Sequence, residues 1–292
     1  MLTKQRRGDI GSATQDQIAA TQNKGGGGPH HATDLARATP LCEQLREAHV
    51  RREQFIKTRI MFANRRRALV AWDLGYKSLD DEEERAKRLA EADKRIASIL
   101  KGELPDEPIT KFVLEMEPAI AAADAQADML GKAMAKLAKQ LAAVDWVERQ
   151  KGFGLMNFAR IIGETGDLSL YANPAKVWKR LGLAPFKGQA PSTWKRKGGL
   201  SAEEWTALGY SPRRRGITYV VSECLLKGNG KEGRYRQRYD NAKATFAAKH
   251  PDEKPIHCHK HAMLLMVKML VRDLWVVWNK GEADLDPVQK VA

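Results

Sequence analysis

Cysteine is scarce in this sequence: 292 residues hold three, Cys42, Cys224 and Cys258, far apart and odd in number. No disulfide framework follows, and a reducing, cytoplasmic setting is expected. A chain of this length can bury a core without such cross-links. Long apolar runs are missing as well. A membrane-spanning helix needs roughly 20 apolar residues, and the nearest stretch, MLLMVKMLVRDLWVVW at 263–278, is broken by Lys268, Arg272 and Asp273. The first residues lack the apolar segment of a secretory leader. A soluble protein with no membrane partner is therefore expected. Glycine is nearly absent from 39 to 149, and no stretch there alternates apolar with polar residues. That composition argues against strands in the N-terminal half.

What the chain does have is positive charge, unevenly placed. Residues 151–250 hold 19 Lys/Arg against 7 Asp/Glu, so +12 of the overall +14 sits in one hundred residues. A surplus of that density points to a polyanion, because each cation that neutralises a phosphate releases condensed counterions. DNA is the expected partner, in a cytoplasmic, nucleoid-associated setting.

The chain divides by composition. Residues 1–38 are polar and include KGGGGPHH at 24–31, which reads as a disordered tail. Residues 39–148 are rich in Ala, Leu, Glu, Lys and Arg and read as a helical coiled-coil or arm region. Helices are expected over about 39–74 and 80–102, the second opened by SLDDEEER with Ser78 as its cap and ended by Gly102 and Pro105. Ile109, Val113, Met116, Ile120, Ala123, Ala127, Leu130, Met134, Leu137, Leu141 and Val144 then alternate four and three apart. This is a coiled-coil seam that Pro118 should kink or begin. It needs a partner, either the two preceding helices folded back or a second copy of the chain as a homo-oligomer. Residues 149–280 form a basic, compact helical domain, and 281–292 a tail. The fold class is mainly α, a long helical hairpin or coiled coil followed by that compact domain.

QKGFGLMNFARIIGETGD (150–167) has the form of a helix-hairpin-helix turn, with Gly152 and Gly154 flanking Phe153. Such glycines let the backbone turn tightly and aim helix-terminal N–H groups at a phosphate. A plain interhelical turn fits the same residues. NPAKVWKRLGLAPF (173–186) reads as a helix with Asn173 as cap, Pro174 in first position and Gly182 at its end. Val177 and Leu181 belong to its core face; Lys176, Lys179 and Arg180 lie elsewhere and suit phosphates. Lys195, Arg196 and Lys197 follow, then Arg213, Arg214 and Arg215. GRYRQRYDNAK (233–243) interleaves Arg234, Arg236 and Arg238 with Tyr235 and Tyr239, a pattern in which rings stack on bases while cations hold phosphate. A solvated helix face is the plainer alternative. HCHKH (257–261) could place His257, His259 and His261 around zinc, but no second Cys/His pair stands at finger spacing. A helix entry is expected there, and the last helix over about 259–279 has Leu264, Val267, Val271, Leu274 and Trp278 as core.

Taken in order, GFGLMNFARIIGETGDLSLYANPAKVWKRLGLAP, the serine loop with its cations, and HAMLLMVKMLVRDLWVVWNKG carry a resemblance. Over roughly 125–280 the chain is similar to the C-terminal half of transposases of the insertion-sequence 110/116/902 family. The resemblance implies DNA recombination: a serine shortly after the Gly-Leu-x-Pro element attacks a DNA phosphodiester, and a structured RNA guides the reaction. Ser192 is the matching position, with Thr193 or Ser201 as the alternative alignments. The family begins with a ribonuclease-H-like domain whose four acidic residues hold magnesium. This chain has no such segment, since Asp73 in ALVAWDLGYKS is expected at a helix end. No cofactor is expected in the chain itself; magnesium would enter only with an acidic domain supplied in trans. Three readings follow: a recombinase acting through Ser192, a nucleic-acid-binding regulatory or architectural protein derived from one, and a helical interaction protein whose basic surface is incidental.

Overall fold

The structure, a computed structural model, describes residues 29–77, 81–104, 107–186, 188 and 199–285. Among these every regular element is helical. The first helix, α1 (Pro29–Asp73), begins well before the expected start, because Pro29 suits a first turn and helix formers follow it. Asp73 closes it, as expected, and pairs with Arg95 at 3.1 Å. Next comes α2 (Glu82–Leu100), capped by Asp81, whose side chain accepts from the Glu84 amide at 2.8 Å. The cap is therefore Asp81; Ser78 and Pro105 lie outside the described residues. The third helix, α3 (Pro108–Ala138), runs through Pro118, which faces solvent. Water can satisfy the carbonyl that the proline leaves free, so the helix neither starts nor stops there.

The seam on α3 is covered by α1 of the same chain. Its buried residues are Val113, Ile120, Ala123, Ala127, Gly131, Met134 and Ala138. Toward its end the stripe therefore shifts to Gly131 and Ala138, while Leu130 and Leu137 are half-buried. The reason is visible in α1, where Arg52, Arg59 and Arg66 recur every seventh residue and lie partly buried. Arg59 Nε lies 3.1 Å from Asp124 Oδ1, and Arg66 pairs with Glu117. Small residues on α3 leave room for these long stems, whose methylenes cover the seam. A Cβ on Gly131 would sit 3.4 Å from Arg52 Nε and 3.3 Å from Met156 Cε. At the far end Val70, Ala71, Ala92, Ile96, Ile99 and Val113 make a separate small core that joins α1, α2 and α3 into an arm.

The main core lies at the other end. After α3 come α4 (Val144–Arg149), α5 (Gly154–Thr165), α6 (Pro174–Arg180), α7 (Ala202–Ala207), α8 (Pro212–Gly228), α9 (Arg234–Lys249) and α10 (Pro255–Lys280). The apolar stripe of α10, including Met266, Leu270, Leu274 and Trp278, is its axis. Phe153 and Phe158 link Trp146 to Trp278 through edge-on ring contacts. Cys42, Leu45, Met134, Ala138 and Leu141 belong to the same core. The boundary expected near 148 thus runs through one continuous core, because the roots of α1 and α3 supply part of it. Buried Asp167 fastens that junction: it accepts from Thr39 Oγ1 at 2.7 Å, Ser169 N at 2.9 Å and Trp278 Nε1 at 3.0 Å. The expected C-terminal tail starts with an ordered turn, Glu282–Asp284, in which Glu282 pairs with Arg149. No described helix is long and apolar enough to cross a membrane.

Candidate nucleic-acid interface

The local sequence builds α6 as expected. Asn173 accepts from the Lys176 amide at 3.3 Å, and Pro174 occupies the first turn. At the other end Gly182 has φ +70°, its N–H donates to the Lys179 carbonyl at 3.1 Å and that of Leu183 to the Trp178 carbonyl at 2.8 Å. These two bonds close the helix in a Schellman turn. A Cβ on Gly182 would meet the Tyr210 ring at 3.0 Å and Arg215 Cβ at 3.6 Å. Only glycine lets the end of α6 sit this close to Tyr210, just before α8. Val177, Leu181 and Leu183 are buried, while Lys176 and Lys179 face water. The Trp178 Nε1 group donates to the Lys268 carbonyl of α10 at 3.0 Å, which fixes the helix to the core.

Opposite α6, Ser211 caps α8 by accepting from the Arg214 amide, and Pro212 starts the helix. Arg213, Arg214 and Arg215 then fill a first turn that holds no acidic residue. The positive end of the helix dipole makes this an unfavourable place for three cations and a favourable one for an anion. Their counter-charge comes from α5. Glu164, 3 % exposed, receives Arg213 Nη2 on Oε1 at 2.7 Å and Arg214 Nε on Oε2 at 3.2 Å. His49 Nε2 of α1 lies 2.8 Å from the same Oε1, and Arg180 Nε of α6 donates to the Glu164 carbonyl at 3.1 Å. Burial pushes this carboxyl up, but the His49 hydrogen bond and the Arg213 charge, with Arg214, outweigh it and bring it down to about 2. Glu164 is therefore a carboxylate, an acceptor only, so His49 Nε2 carries the proton between them. Burial, together with the charges of Arg214 and Arg46, lowers the pKa of Arg180.

Six of the residues anticipated as phosphate contacts thus gather on adjoining elements: Lys176, Lys179 and Arg180 on α6, Arg213, Arg214 and Arg215 on α8. Three of them, Arg180, Arg213 and Arg214, meet at buried Glu164. Beside this face Phe186, Trp205 and Tyr210 contact edge-on, and with Lys179, Gly182 and Leu208 line a cavity of about 210 Å³.

Other anticipated residues are placed differently. Tyr235 is 2 % exposed and donates its hydroxyl to Asp273 at 3.2 Å, and Tyr239 is also buried, so neither ring can stack on a base. They are core residues because the face of α9 that carries them packs against α10. Arg234 Nη2 pairs with buried Asp273 at 3.1 Å, and Arg236 with Asp240 at 2.9 Å. Arg238 is half-buried, and its charge is felt at His261. Gly152 and Gly154 do form a turn between α4 and α5, both at positive φ. A Cβ on Gly152, however, would stand 2.3 Å from the Cys224 carbonyl oxygen, so that residue serves backbone packing against α8 rather than a phosphate. Gly154 is exposed with nothing near it. Ser201 is engaged in a capping box with Glu204 at the start of α7. Ser192, Thr193, Lys195, Arg196 and Lys197 lie outside the described residues.

The HCHKH segment is the entry of α10, as expected, and its histidines face different partners. His257 pairs with Glu253, His259 meets the Tyr239 hydroxyl at 2.7 Å, and His261 stacks on Phe246 at 4.3 Å. No group of three His, Cys, Asp or Glu among the described residues could hold a metal ion. The magnesium tied to the family resemblance thus finds no fitting site there.

Sequence reasoning missed His49, Arg46 and Glu164. The one available signal was a carboxylate inside the apolar run LMNFARIIGETG. No family model matches the chain, nor does any curated protein or solved structure.

Proposed function

We propose that this chain binds DNA through the face made by α6 and the first turn of α8, and that it acts in DNA recombination as the transposases it resembles do. The observation that supports the binding is the gathering of Arg180, Arg213 and Arg214 at one buried glutamate, at a helix start that favours anions, with Lys176, Lys179 and Arg215 on the same two helices. The recombinase part rests on the sequence resemblance, in which Ser192 attacks a phosphodiester and a structured RNA takes part. No step is assigned to magnesium in this chain. A serine attack on phosphate needs its developing charge stabilised; Lys195, Arg196 and Lys197 are the cations nearest in sequence to Ser192, and the arginines of α8 could add to them.

A second reading, a nucleic-acid-binding protein without catalysis, is favoured by one finding: the described N-terminal half is a helical arm rather than a fold bearing an acidic tetrad. One experiment separates the two. Ser192→Ala should leave affinity for a DNA duplex nearly unchanged and abolish strand transfer. Undiminished strand transfer removes Ser192 as nucleophile. An absence of duplex binding at low salt, measured by fluorescence anisotropy, removes both readings.

A further inference from the structure

Glu164 is an expensive residue to bury. It sits at the C-terminal end of α5, where the helix dipole disfavours a carboxylate, and it is 3 % exposed. The space around it is made by absence: a Cβ on Gly163 would lie 2.7 Å from His49 Cβ and 2.8 Å from Cγ, so glycine alone lets the imidazole lie against α5. His49 Nδ1 is buried with no hydrogen-bond partner among the described residues, so the ring makes its one bond to Glu164. Three helices, α1, α5 and α8, therefore spend packing and polar groups on holding one carboxylate.

The use of the guanidiniums is uneven. Arg213 commits Nη2 to Glu164 and is 37 % exposed. Arg180 commits Nε to the Glu164 carbonyl, and Arg214 commits Nε to the carboxylate and Nη1 to the Gly209 carbonyl at 3.4 Å. An arginine has five N–H donors in a rigid fork. Each of the three is thus fixed by one or two donors, and its other N–H groups have no hydrogen-bond partner among the described residues.

We propose that Glu164 is a positioning residue, its carboxylate seated by His49, that sets the Arg213 and Arg214 forks beside Arg180, held by the Glu164 main-chain carbonyl, as a clamp for a single backbone phosphate of nucleic acid. The clamp rests on the nucleic-acid reading and goes beyond it. A bound phosphodiester completes the charge balance of the cluster, meeting the excess of guanidinium over carboxylate. A carboxylate that merely sat near the phosphate would repel it; one that orients the Arg213 and Arg214 forks helps it more than it repels.

That difference in sign is the test. Binding of a fluorescein-labelled DNA duplex is followed by anisotropy over a salt series for the wild type, Glu164→Gln, Arg213→Gln and Arg213→Lys, each checked by thermal melting to be folded at the assay temperature. Glu164→Gln removes a negative charge beside the ligand and should nonetheless weaken binding about tenfold. Binding as tight as wild type, or tighter, overturns the positioning role. Arg213→Gln should lower the slope of log K against log salt by about 1, the share of one phosphate contact. Arg213→Lys should keep that slope and lose several-fold in affinity, because the charge stays and the fork is lost. If Glu164→Gln does not fold, these two variants still decide: an unchanged Arg213→Gln slope, or full affinity in Arg213→Lys, defeats the clamp alone. A wild type that shows no salt-dependent binding defeats the nucleic-acid reading and the clamp with it.

Discussion

His49 Nε2 and Glu164 Oε1 lie 2.8 Å apart although 115 residues separate them in the chain. Both are shut off from solvent, and the contact ties the root of the arm to the helix that faces the basic surface. Two of the predictions below follow from how such buried groups are satisfied.

Acid should loosen the fold through Glu164. Its carboxyl is held at about 2 against an ordinary 4.5, so the folded state prefers the ionised form. The stability this brings is complete above about pH 4.5 and is lost as the pH falls through about 2; it is on the order of 3 kcal/mol. Urea unfolding of wild type and Glu164→Gln should differ most above about pH 5 and converge toward about pH 2. A difference that stays constant with pH contradicts the charged pairing.

The glycines of the α4–α5 turn should not be equivalent. Gly152→Ala meets a carbonyl oxygen at 2.3 Å as well as a φ of +82°, and should cost more than about 3 kcal/mol. Gly154→Ala faces open space at φ +63° and should cost only about 1 kcal/mol. Thermal melts of the two variants check the order.

Asp273 holds α9 to α10. Asp273→Ala takes the carboxylate from Arg234, Arg272 and the Tyr235 hydroxyl at once, leaving desolvated positive charge. A loss of about 3–5 kcal/mol is expected. Tyr235→Phe removes one hydrogen bond from the same group and should lose about 1 kcal/mol. Chemical denaturation that ranks the two the other way would contradict the buried ion cluster.

The arm tip should yield on its own. Ile99 is 2 % exposed in the small core shared by α1, α2 and α3, and Ile99→Ala should cost about 2–4 kcal/mol there. Because that core is separate from the one around α10, amide exchange should quicken in α2 and stay slow in α10. Uniform quickening would mean that the two cores open together.

Much of the helical architecture could be read directly. Asn173, Pro174 and Gly182 placed α6, and SLDDEEER placed α2 to within a few residues, because caps and first-turn charges act on the backbone beside them. Less legible was the partner of the α3 seam. The matching face of α1 carries Arg52, Arg59 and Arg66 where an apolar repeat would be sought, so its periodicity is hidden in residues usually assigned to solvent.

The candidate interface divides the same way. Its cations were evident from composition, since net charge and helix starts are properties of short stretches. Which of them remain available was decided only when the chain folded. Arg213 and Arg214 came to Glu164, Arg234 to Asp273, and Tyr235 went into the core. The physical reason is that burial and charge pairing depend on groups brought together from distant segments, whereas capping and helix propensity depend on neighbours in the chain.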